Sequence, residues 1–291
     1  MLTNQIIETV VRAALLEDAP WGDITSELLI PASAHATARL AAREPGVFSG
    51  AAVFAAAMTL TDPGIVVELH RQDGDAFDAG DTLAVVSGPA RAVLQAERVA
   101  LNLVQRMSGI ATATAAYVRE VAGTGARIVD TRKTTPGLRA FERHAVRSGG
   151  GHNHRFSLSD AVMAKDNHLA VLTASSGRTV TEALLAVRAQ LSHTTHLEVE
   201  VDRIDQIAPV LAAGVDTIML DNFTVEQLRE GVELIGGQAI VEASGNVNLS
   251  TVRAIAETGV DVISVGALTH SARALDLGLD VVVETPKPAQ P

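Results

Sequence analysis

The sequence predicts an α/β protein with two domains, and three observations support this fold class. The chain has 291 residues, which is enough for two hydrophobic cores. Residues 35–90 contain short alternating runs separated by Gly- and Asp-rich turns, a pattern typical of a small antiparallel sheet. From residue 126 onward, apolar strand-like runs alternate with amphipathic helical patterns, which is typical of buried parallel strands joined by helices.

The N-terminal region carries signals for two helices. Residues 4–17 show an apolar stripe at helical spacing, and the Pro-Trp-Gly-Asp sequence that follows predicts a packed turn around the lone Trp21. An Ala-rich run at 50–60 predicts a helix inside the small sheet. At the other end of the chain, we expect the apolar tail after Ala272 to pack back on this first domain, ahead of a Pro-rich stub.

One long helical pattern covers residues 89–121 and precedes the alternating region. Pro89 suits the first turn of a helix, and Gly123 suits its end. Gly109 lies in the middle of the pattern, where it would allow a kink or a division into two helices. Arg98 stands on this helix and, taken alone, has the features of a surface arginine.

The alternating region favours a barrel. Its six strand-like runs are 127–130, 161–165, 196–201, 217–220, 239–243 and 262–265. An open doubly wound sheet and a closed barrel both fit the alternation, but almost every run ends in polar residues, as the catalytic strand ends of barrels do. No GxGxxG follows the first run, as a dinucleotide-binding sheet would require. Six runs rather than eight indicate an incomplete or distorted barrel.

Composition excludes several classes of protein. The chain has no cysteine, which excludes disulfides, thiolate metal sites and a cysteine nucleophile. A net charge of −11 and only eight aromatic residues (six Phe, one Trp and one Tyr) argue against nucleic-acid binding. The N-terminus lacks the pattern of a signal peptide and no run of 18 apolar residues occurs, so we expect no membrane span and a cytoplasmic location.

Residues 132–168 reverse the sign of the charge. They hold five Arg and two Lys against three acidic residues, seven positive minus three negative charges, within a chain of net charge −11. Two of the three lysines of the chain, Lys133 and Lys165, follow strand-like runs directly. A compact ammonium suits phosphate or carboxylate oxygens, so the stretch predicts a site for an anion. The alternative is a solvated basic face.

Two carboxylates are expected to point into the barrel. In the alternating run 196–201, His196, Glu198 and Glu200 lie on one side of the strand. Buried carboxylates need a metal, a basic side chain or a developing positive charge as partner. Glu200 is nearest the end of its strand, and Asp221 ends the next strand, so together they would accept a cation or sugar hydroxyls. The alternative is a structural ion-pair network.

Three loops carry further candidates. Residues 244–246 and 264–266 are small, end the last two strands and are followed directly by helices, so their N–H groups are candidates for a phosphate site. Plain turns remain the alternative. The loop 149–155 is expected to be flexible and contains His152 and His154. A metal at this His-x-His pair, hydrogen bonds to an anion next to Arg155, and a plain surface loop all remain open.

Taken together, nine stretches in order resemble one family. They are Asp23-Ile24-Thr25, ERVALNLVQRMSGIAT, DTRKTTPGLR, GGGHNHR, KDNH, EVEV, LDNF, EASGN and SVGALTH. The chain is thus similar to quinolinate phosphoribosyltransferase, the carboxylating nicotinate-nucleotide pyrophosphorylase. This resemblance implies an α/β fold with an N-terminal α/β sandwich domain (residues 1–110, with 272–291 packing back on it) and an incomplete (β/α) barrel domain (residues 111–271). It also implies a homodimer or a multiple of dimers.

The resemblance further implies the reaction. Phosphoribosyl would pass from phosphoribosyl pyrophosphate to quinolinate with decarboxylation, giving nicotinate mononucleotide, CO2 and pyrophosphate in de novo NAD synthesis, with Mg2+ as cofactor. A paralogue acting on another anionic ring, as in the molybdenum-associated relatives, is a second hypothesis. A non-catalytic anion-binding barrel is a third, which the acidic pair Glu200 and Asp221 disfavours, because a binder of anions gains nothing from carboxylates.

The site residues follow from the matching motifs. Substrate contacts are implied for Arg98, Thr131, Arg132, Lys133, His154, Arg155 and Lys165, with Arg98 donated by the neighbouring subunit. Catalytic roles are implied for Lys133, Lys165, Glu200 and Asp221, of which the two carboxylates would hold the metal, directly or indirectly. The phosphate loops correspond to Ser244, Gly245, Asn246, Ser264, Val265 and Gly266. Many members have Gly-Gly where this chain has Gly245-Asn246, so this loop departs from the family pattern in detail.

Overall fold

The computed structural model describes residues 2–284, which fall into two compact units. Unit 1 contains the chain up to Ala115, Thr134–Gly150 and the residues from Thr269 onward. Unit 2 contains Ala116–Lys133 and Gly151–Leu268. The Pro-rich stub at 285–291, part of the tail predicted to pack back, lies outside the described residues. Among residues 2–284, every helix is too short or too polar to cross a membrane.

The described residues form twelve strands. They are β1 (His35–Ala42), β2 (Gly46–Val47), β3 (Val66–Leu69), β4 (Ala76–Phe77), β5 (Thr82–Pro89), β6 (Arg127–Val129), β7 (Val162–Ala164), β8 (Leu197–Val201), β9 (Thr217–Asp221), β10 (Ile240–Ser244), β11 (Val262–Ser264) and β12 (Leu277–Glu284). The six strand-like runs predicted for the alternating region therefore exist as β6 to β11, and each end agrees with the prediction to within one residue.

Eleven α-helices accompany the strands in the described part of the chain. They are α1 (Asn4–Asp18), α2 (Ile24–Leu29), α3 (Ala51–Thr61), α4 (Ala90–Glu120), α5 (Arg139–Ser148), α6 (Asp166–Ser176), α7 (Val180–Arg188), α8 (Ile207–Leu211), α9 (Val225–Ile235), α10 (Val252–Ala256) and α11 (Ala267–His270), with a 3-10 turn at Ile204–Gln206 before α8. Capping boxes begin α7 at Thr179 and α9 at Thr224, where each threonine is paired with the residue three positions on.

Unit 1 is built on an antiparallel sheet with strand order β12-β1-β5-β3. Alternate side chains of β1, among them Ala36, Ala38 and Leu40, are buried, as a strand with one face on a core requires. β12 runs along the full length of β1, from Leu277 opposite Ala42 to Glu284 opposite His35. Residues near the end of the described chain therefore complete the sheet that begins near its start.

Two local expectations for unit 1 need correction. Trp21 is 93% exposed, so the packed turn expected around it is wrong. Asp23 instead caps α2, because it accepts hydrogen bonds from the hydroxyl and the N–H of Ser26, and these lower the pKa of Asp23. Gly109 does not divide the long helix. A Cβ at Gly109 would lie 2.0 Å from the carbonyl oxygen of Arg273, so the glycine permits a close approach of the backbone.

Unit 2 is a six-stranded parallel sheet with strand order β6-β11-β10-β9-β8-β7. Its strands are apolar and buried, for example at Leu197, Ile218 and Ile263. β6 and β7 are the edges of this sheet, so hydrogen bonds do not close it into a full barrel within the described residues. The two kinds of sheet confirm the predicted α/β class, and the parallel sheet places all six carboxyl ends at one edge.

Candidate active site

Most of the predicted site residues lie at the C-terminal edge of the unit 2 sheet. They are Thr131, Arg132 and Lys133 after β6, Lys165 after β7, Glu200 within β8, Asp221 at the end of β9, Ser244 to Asn246 after β10 and Ser264 to Gly266 after β11. Register places Ser244 beside Asp221, and Glu200 beside Met219. Side chains alternate along a strand, so Asp221 shares a face with Met219 and therefore with Glu200.

The cationic stretch 132–168 is divided between the two units. Arg139, Arg143 and Arg147 belong to α5 of unit 1, whereas Arg132, Lys133, Arg155 and Lys165 belong to unit 2. Arg98 also belongs to unit 1, where it is exposed on α4. The charge reversal seen in the sequence is therefore not a property of one compact unit, and four of its seven cations remain as candidates at the sheet edge.

The carboxylate of Glu200 has a basic partner. Lys165 Nζ forms an ion pair with Glu200 Oε2, and the two side chains are 46% and 15% exposed. Lys165 precedes α6, and its N–H donates to His168 Nδ1 at 3.0 Å. The sequence left open a metal, a basic side chain or a developing positive charge as partner of the buried carboxylates. For Glu200 the structure shows a basic side chain. The pair brings one predicted cation and one predicted anion of the site together.

Asn222 connects Asp221 to the loop after β10. Its Nδ2 donates to Asp221 Oδ2 at 2.6 Å, and its Oδ1 accepts from Asn246 Nδ2 at 3.2 Å. Both asparagines have left-handed backbone, with φ of 60° at Asn222 and 51° at Asn246. A Cβ at Gly245 would lie 2.2 Å from Asn222 Oδ1, so only glycine fits there. Strained backbone of this kind collects at functional sites.

The two predicted phosphate loops agree with expectation only in part, since α11 follows the loop after β11 directly and, among the described residues, no helix follows the loop after β10 directly. The chain does not enter a helix directly after β10, since α10 begins only at Val252, so a helix dipole does not support Ser244 to Asn246. After β11, the N–H of Val265 donates to the carbonyl of Val129 at 3.0 Å and is engaged within the sheet. The Ser264 hydroxyl donates to the carbonyl of Ala243 at 3.4 Å.

The loop that carries His154 is held firmly, which corrects the expectation of a flexible loop. Asp130 is fully buried and accepts hydrogen bonds from the N–H of His154 at 2.8 Å and from Asn153 Nδ2 at 2.5 Å. His152 extends the pairing of β6, because its N–H donates to the carbonyl of Ile128 at 2.8 Å. The loop therefore adds a single parallel bridge beside β6, between His152 and Val129.

His154 lies between two buried carboxylates. Its Nε2 is 3.2 Å from Glu198 Oε2 and 3.3 Å from Glu242 Oε2. Burial and the N–H of Arg155 at Nδ1 oppose a charge on His154, whereas hydrogen bonds to both carboxylates raise its pKa. Burial also raises the pKa of Glu242, against the opposing effect of His154. Because His154 Nδ1 accepts the N–H of Arg155 at 2.8 Å, the ring proton lies on Nε2, on the carboxylate side of this cluster.

Arg155 faces a second cation. Burial and the charge of Arg132 lower its pKa, so the two guanidinium groups act on each other. Arg155 Nη1 donates to the carbonyl of Ala161 at 3.1 Å, and Nη2 is 3.5 Å from Met163 Sδ. Like charges repel and an anion between them would relieve this repulsion, so Arg132 and Arg155 are candidates for an anion site of unit 2.

Two sets of side chains could hold a metal ion. His154, Glu198 and Glu242 offer ligand atoms within 4.8 Å of one another. Glu200 and Asp221 offer carboxylate oxygens on neighbouring strands and on one face of the sheet. Mg2+ needs only one or two protein carboxylates beside phosphate oxygens and water, so Glu200 and Asp221 fit this ion by their chemistry. The His-x-His pair expected as a metal candidate does not occur as a ligand set among the described residues.

Three residues of this site were not predicted from the sequence. They are Asp130, Asn222 and Glu242, which hold or orient the predicted ones. Glu198 was expected as a buried carboxylate beside Glu200 but was given no role, and the signal for Glu242 was present, since it is a lone acid in the apolar run Ile-Val-Glu-Ala. Neither signal says which cation the carboxylate meets.

Comparison with known proteins agrees with this geometry. The family model of the quinolinate phosphoribosyl transferase N-terminal domain matches residues 23–108, and that of the C-terminal domain matches residues 110–280. A nicotinate-nucleotide pyrophosphorylase (carboxylating) from Mycobacterium leprae is 44% identical over 280 residues, which cover 93% of this chain and 95% of that protein. A probable enzyme of the same name from Bacillus subtilis is 42% identical over 277 residues, covering 95% and 94%.

The likeness extends to three dimensions. The crystal structure of NadC from Streptococcus pyogenes has a TM-score of 0.92 and 40% identity, and the match covers 98% of this chain and 99% of that one. Both family models and the relatives above 40% identity over nearly the full length indicate the same family. The chain belongs to the quinolinate phosphoribosyltransferase family.

Proposed function

We propose that the chain transfers phosphoribosyl from phosphoribosyl pyrophosphate to quinolinate with decarboxylation, giving nicotinate mononucleotide, CO2 and pyrophosphate. This is the carboxylating nicotinate-nucleotide pyrophosphorylase activity of NAD biosynthesis, and membership in the family supports it over nearly the whole chain. The relatives from Mycobacterium leprae and Bacillus subtilis that carry this name are covered over 95% and 94% of their length, so the proposal draws on nearly the whole of those proteins.

The cations would bring two anionic substrates together. Arg132 and Arg155 repel each other, so a dianion such as quinolinate would be stabilised between them by forked hydrogen bonds. Lys133 and Lys165 would add compact positive charge at the ends of β6 and β7. Holding both reactants in place removes much of the entropic part of the barrier. Thr131 would support this arrangement, because its Oγ1 accepts the N–H of Lys133 at 3.1 Å.

Glu200 and Asp221 would stabilise the sugar in the transition state. The pyridine nitrogen attacks C1′ of the ribose as pyrophosphate departs, and the sugar gains oxocarbenium character. Fixed carboxylates near this positive charge lower its energy more than that of the ground state. Lys165 and Asn222 keep the two carboxylates oriented through the ion pair and the 2.6 Å hydrogen bond. Mg2+, when bound near these carboxylates, would neutralise the pyrophosphate.

Decarboxylation follows from the first step. Once its nitrogen is quaternary, the pyridinium ring accepts the electron pair that the 2-carboxylate leaves behind, and CO2 departs. A proton then replaces CO2 at this carbon. The reaction requires no covalent intermediate with the protein, and its demands on the chain are orientation and electrostatics.

The remaining roles are proposals of the same kind. Ser244, Gly245, Asn246, Ser264 and Gly266 would receive the 5′-phosphate, whereas the N–H of Val265 is engaged with Val129. We propose domains at 1–110 with 272–291, and at 111–271. The active form would be a homodimer or a multiple of dimers, in which Arg98 enters the partner's site. The cytoplasmic location stays a prediction.

The match to both quinolinate phosphoribosyl transferase family models, over residues 23–108 and 110–280, is the observation that carries this proposal. The test is release of labelled CO2 from carboxyl-labelled quinolinate. We expect release that depends on phosphoribosyl pyrophosphate and is accompanied by an equal amount of nicotinate mononucleotide. Release without the sugar donor, or transfer of phosphoribosyl to a different anionic ring in preference to quinolinate, would contradict the proposal.

A further inference from the structure

Two buried carboxylates of unit 2 have no role in the proposed reaction. Glu198 of β8 and Glu242 of β10 are each 3% exposed, and each approaches His154 Nε2 through Oε2 only. Their Oε1 atoms are buried without a hydrogen-bond partner among residues 2–284. An unsatisfied carboxylate oxygen is costly, and apolar side chains of similar size would pack in its place at less cost. Their presence therefore indicates a task at His154.

The orientation of the His154 ring determines whether the N–H of Arg155 has a hydrogen-bond acceptor. Nδ1 accepts the N–H of Arg155 at 2.8 Å, while the N–H of His154 itself donates to Asp130 Oδ1 at 2.8 Å. The peptide between His154 and Arg155 is thus held by the ring, and the preceding peptide, between Asn153 and His154, is held by Asp130. If the ring turned, the N–H of Arg155 would lose its acceptor and the start of this side chain would be released.

We propose that Glu198 and Glu242 are positioning residues: together they hold His154 in one orientation and one tautomer, so that its Nδ1 fixes the backbone from which Arg155 reaches the substrate. This inference rests on the proposed function for the part that concerns the substrate. Nε2 carries the proton and donates toward the two carboxylates, and Nδ1 remains an acceptor.

The same three side chains could hold a metal ion, but the hydrogen bonds favour a proton. A neutral histidine that binds metal through Nε2 carries its proton on Nδ1. In this chain Nδ1 accepts the N–H of Arg155, so a proton there would set two donors against each other. The separations of 3.2 and 3.3 Å between Nε2 and the carboxylates are hydrogen-bond distances.

The first test measures the tautomer directly and needs no activity. In the full-length protein with 15N-labelled histidine, the His154 signals are assigned by comparison with a His154→Gln variant. We expect a protonated Nε2 and an unprotonated, hydrogen-bonded Nδ1. A proton on Nδ1 would overturn the proposal. So would a stoichiometric metal found by elemental analysis of the purified protein and lost in Glu198→Leu.

The second test is a double-mutant cycle with Arg155. Removing a carboxylate in Glu198→Leu or Glu242→Leu should raise KM for quinolinate about tenfold, the effect of one lost hydrogen bond to a charged group, with a smaller change in kcat. In an Arg155→Ala background the same substitutions should add little. Glu198→Gln and Glu242→Gln keep an acceptor oxygen and should recover most of the affinity.

The controls separate the possible failures. Glu257→Leu removes an exposed carboxylate that pairs with Arg253 on α10, and should leave KM unchanged. If Glu198→Leu raised KM equally in the wild-type and the Arg155→Ala backgrounds, its effect would not depend on Arg155 and the proposal would be refuted. If the Leu variants do not fold, the KM values of the Gln variants and the tautomer measurement still test the proposal. If the wild type releases no CO2 from quinolinate, the proposed function fails, while the tautomer result judges the role of the carboxylates independently.

Discussion

Glu200→Gln should separate activity from stability. The substitution keeps the size of the side chain and removes the charge that pairs with Lys165. In the proposed mechanism this charge acts on the transition state, whereas in the folded protein it joins a pair whose side chains are 46% and 15% exposed. We therefore expect a large fall in kcat and a small change in stability from the same substitution.

The two magnitudes come from the geometry. An ion pair with one half-exposed partner contributes about 0–1 kcal/mol to folding, since water screens the charge and the released Lys165 stays hydrated. For a chain of this size that corresponds to a fall of roughly 2–4 °C or less in Tm. One fixed electrostatic group in an active site, by contrast, is worth about 2.7–4 kcal/mol, or roughly 100- to 1,000-fold in kcat.

The assay combines steady-state kinetics, calorimetric titration of quinolinate and thermal unfolding. Arg188→Gln is the matched control, because Arg188 and Asp216 form a similar pair, with side chains 43% and 33% exposed, beside the N-terminal end of β9. The control should lose as little stability as Glu200→Gln and keep its kcat. If Tm of Glu200→Gln fell by more than about 10 °C, or quinolinate affinity fell in parallel with kcat, the pair would be structural or substrate-positioning and our assignment wrong.

Three further predictions follow from the contacts described. Arg106→Met should lower the free energy of unfolding by about 3–5 kcal/mol in urea titrations, because it leaves Glu142, 1% exposed, without its cation; a loss below about 1 kcal/mol would contradict this. Lys133→Ala should reduce kcat/KM by the equivalent of about 2–4 kcal/mol with an unchanged circular dichroism spectrum, and near-normal kinetics would exclude a catalytic role. Asn222→Gly keeps the left-handed backbone but removes the hydrogen bond to Asp221, so kcat should fall about tenfold while quinolinate affinity is unchanged. If the variant and the wild type had equal kcat, the amide of Asn222 would not orient Asp221.

Periodicity and strand ends made the fold of unit 2 predictable. The apolar runs that become β6 to β11 are short, bounded by polar residues and separated by helical patterns, so local sequence carries nearly all the information needed to place them. The same regularity places Lys165, Glu200 and Asp221 at one edge, because parallel strands share their carboxyl ends. These residues could be singled out before any contact was known.

Pairings across the sheet were not predictable in this way. His154 meets Glu242 across a large separation in sequence, and only the strand order β11-β10-β9-β8 brings the carboxylates of β8 and β10 to one ring. The division of residues 132–168 between the two units was not predictable for a related reason. The chain passes through both units within that stretch, so residues that are close in sequence, such as Lys133 and Arg139, belong to different units.

Arg98 is the site residue that only the resemblance to the family implies. It is exposed on α4 in unit 1, whereas the other predicted substrate contacts belong to unit 2. If Arg98 enters the site of a partner subunit, two inactive variants should rescue each other. In a mixed dimer of Arg98→Ala and Lys165→Ala chains, one site carries both defects and the other carries neither.

The expected recovery can be calculated. Random exchange makes about half of the dimers mixed, and each has one intact site of two, so mixing should restore roughly a quarter of wild-type activity under two-fold symmetry. If Arg98 served its own subunit, every site would keep one defect and nothing would be restored. Co-expression of the two chains with different tags, followed by purification through both tags, isolates the mixed dimer and raises the expected value to about half. Doubly tagged dimers that are no more active than either parent would show that Arg98 does not act across the interface.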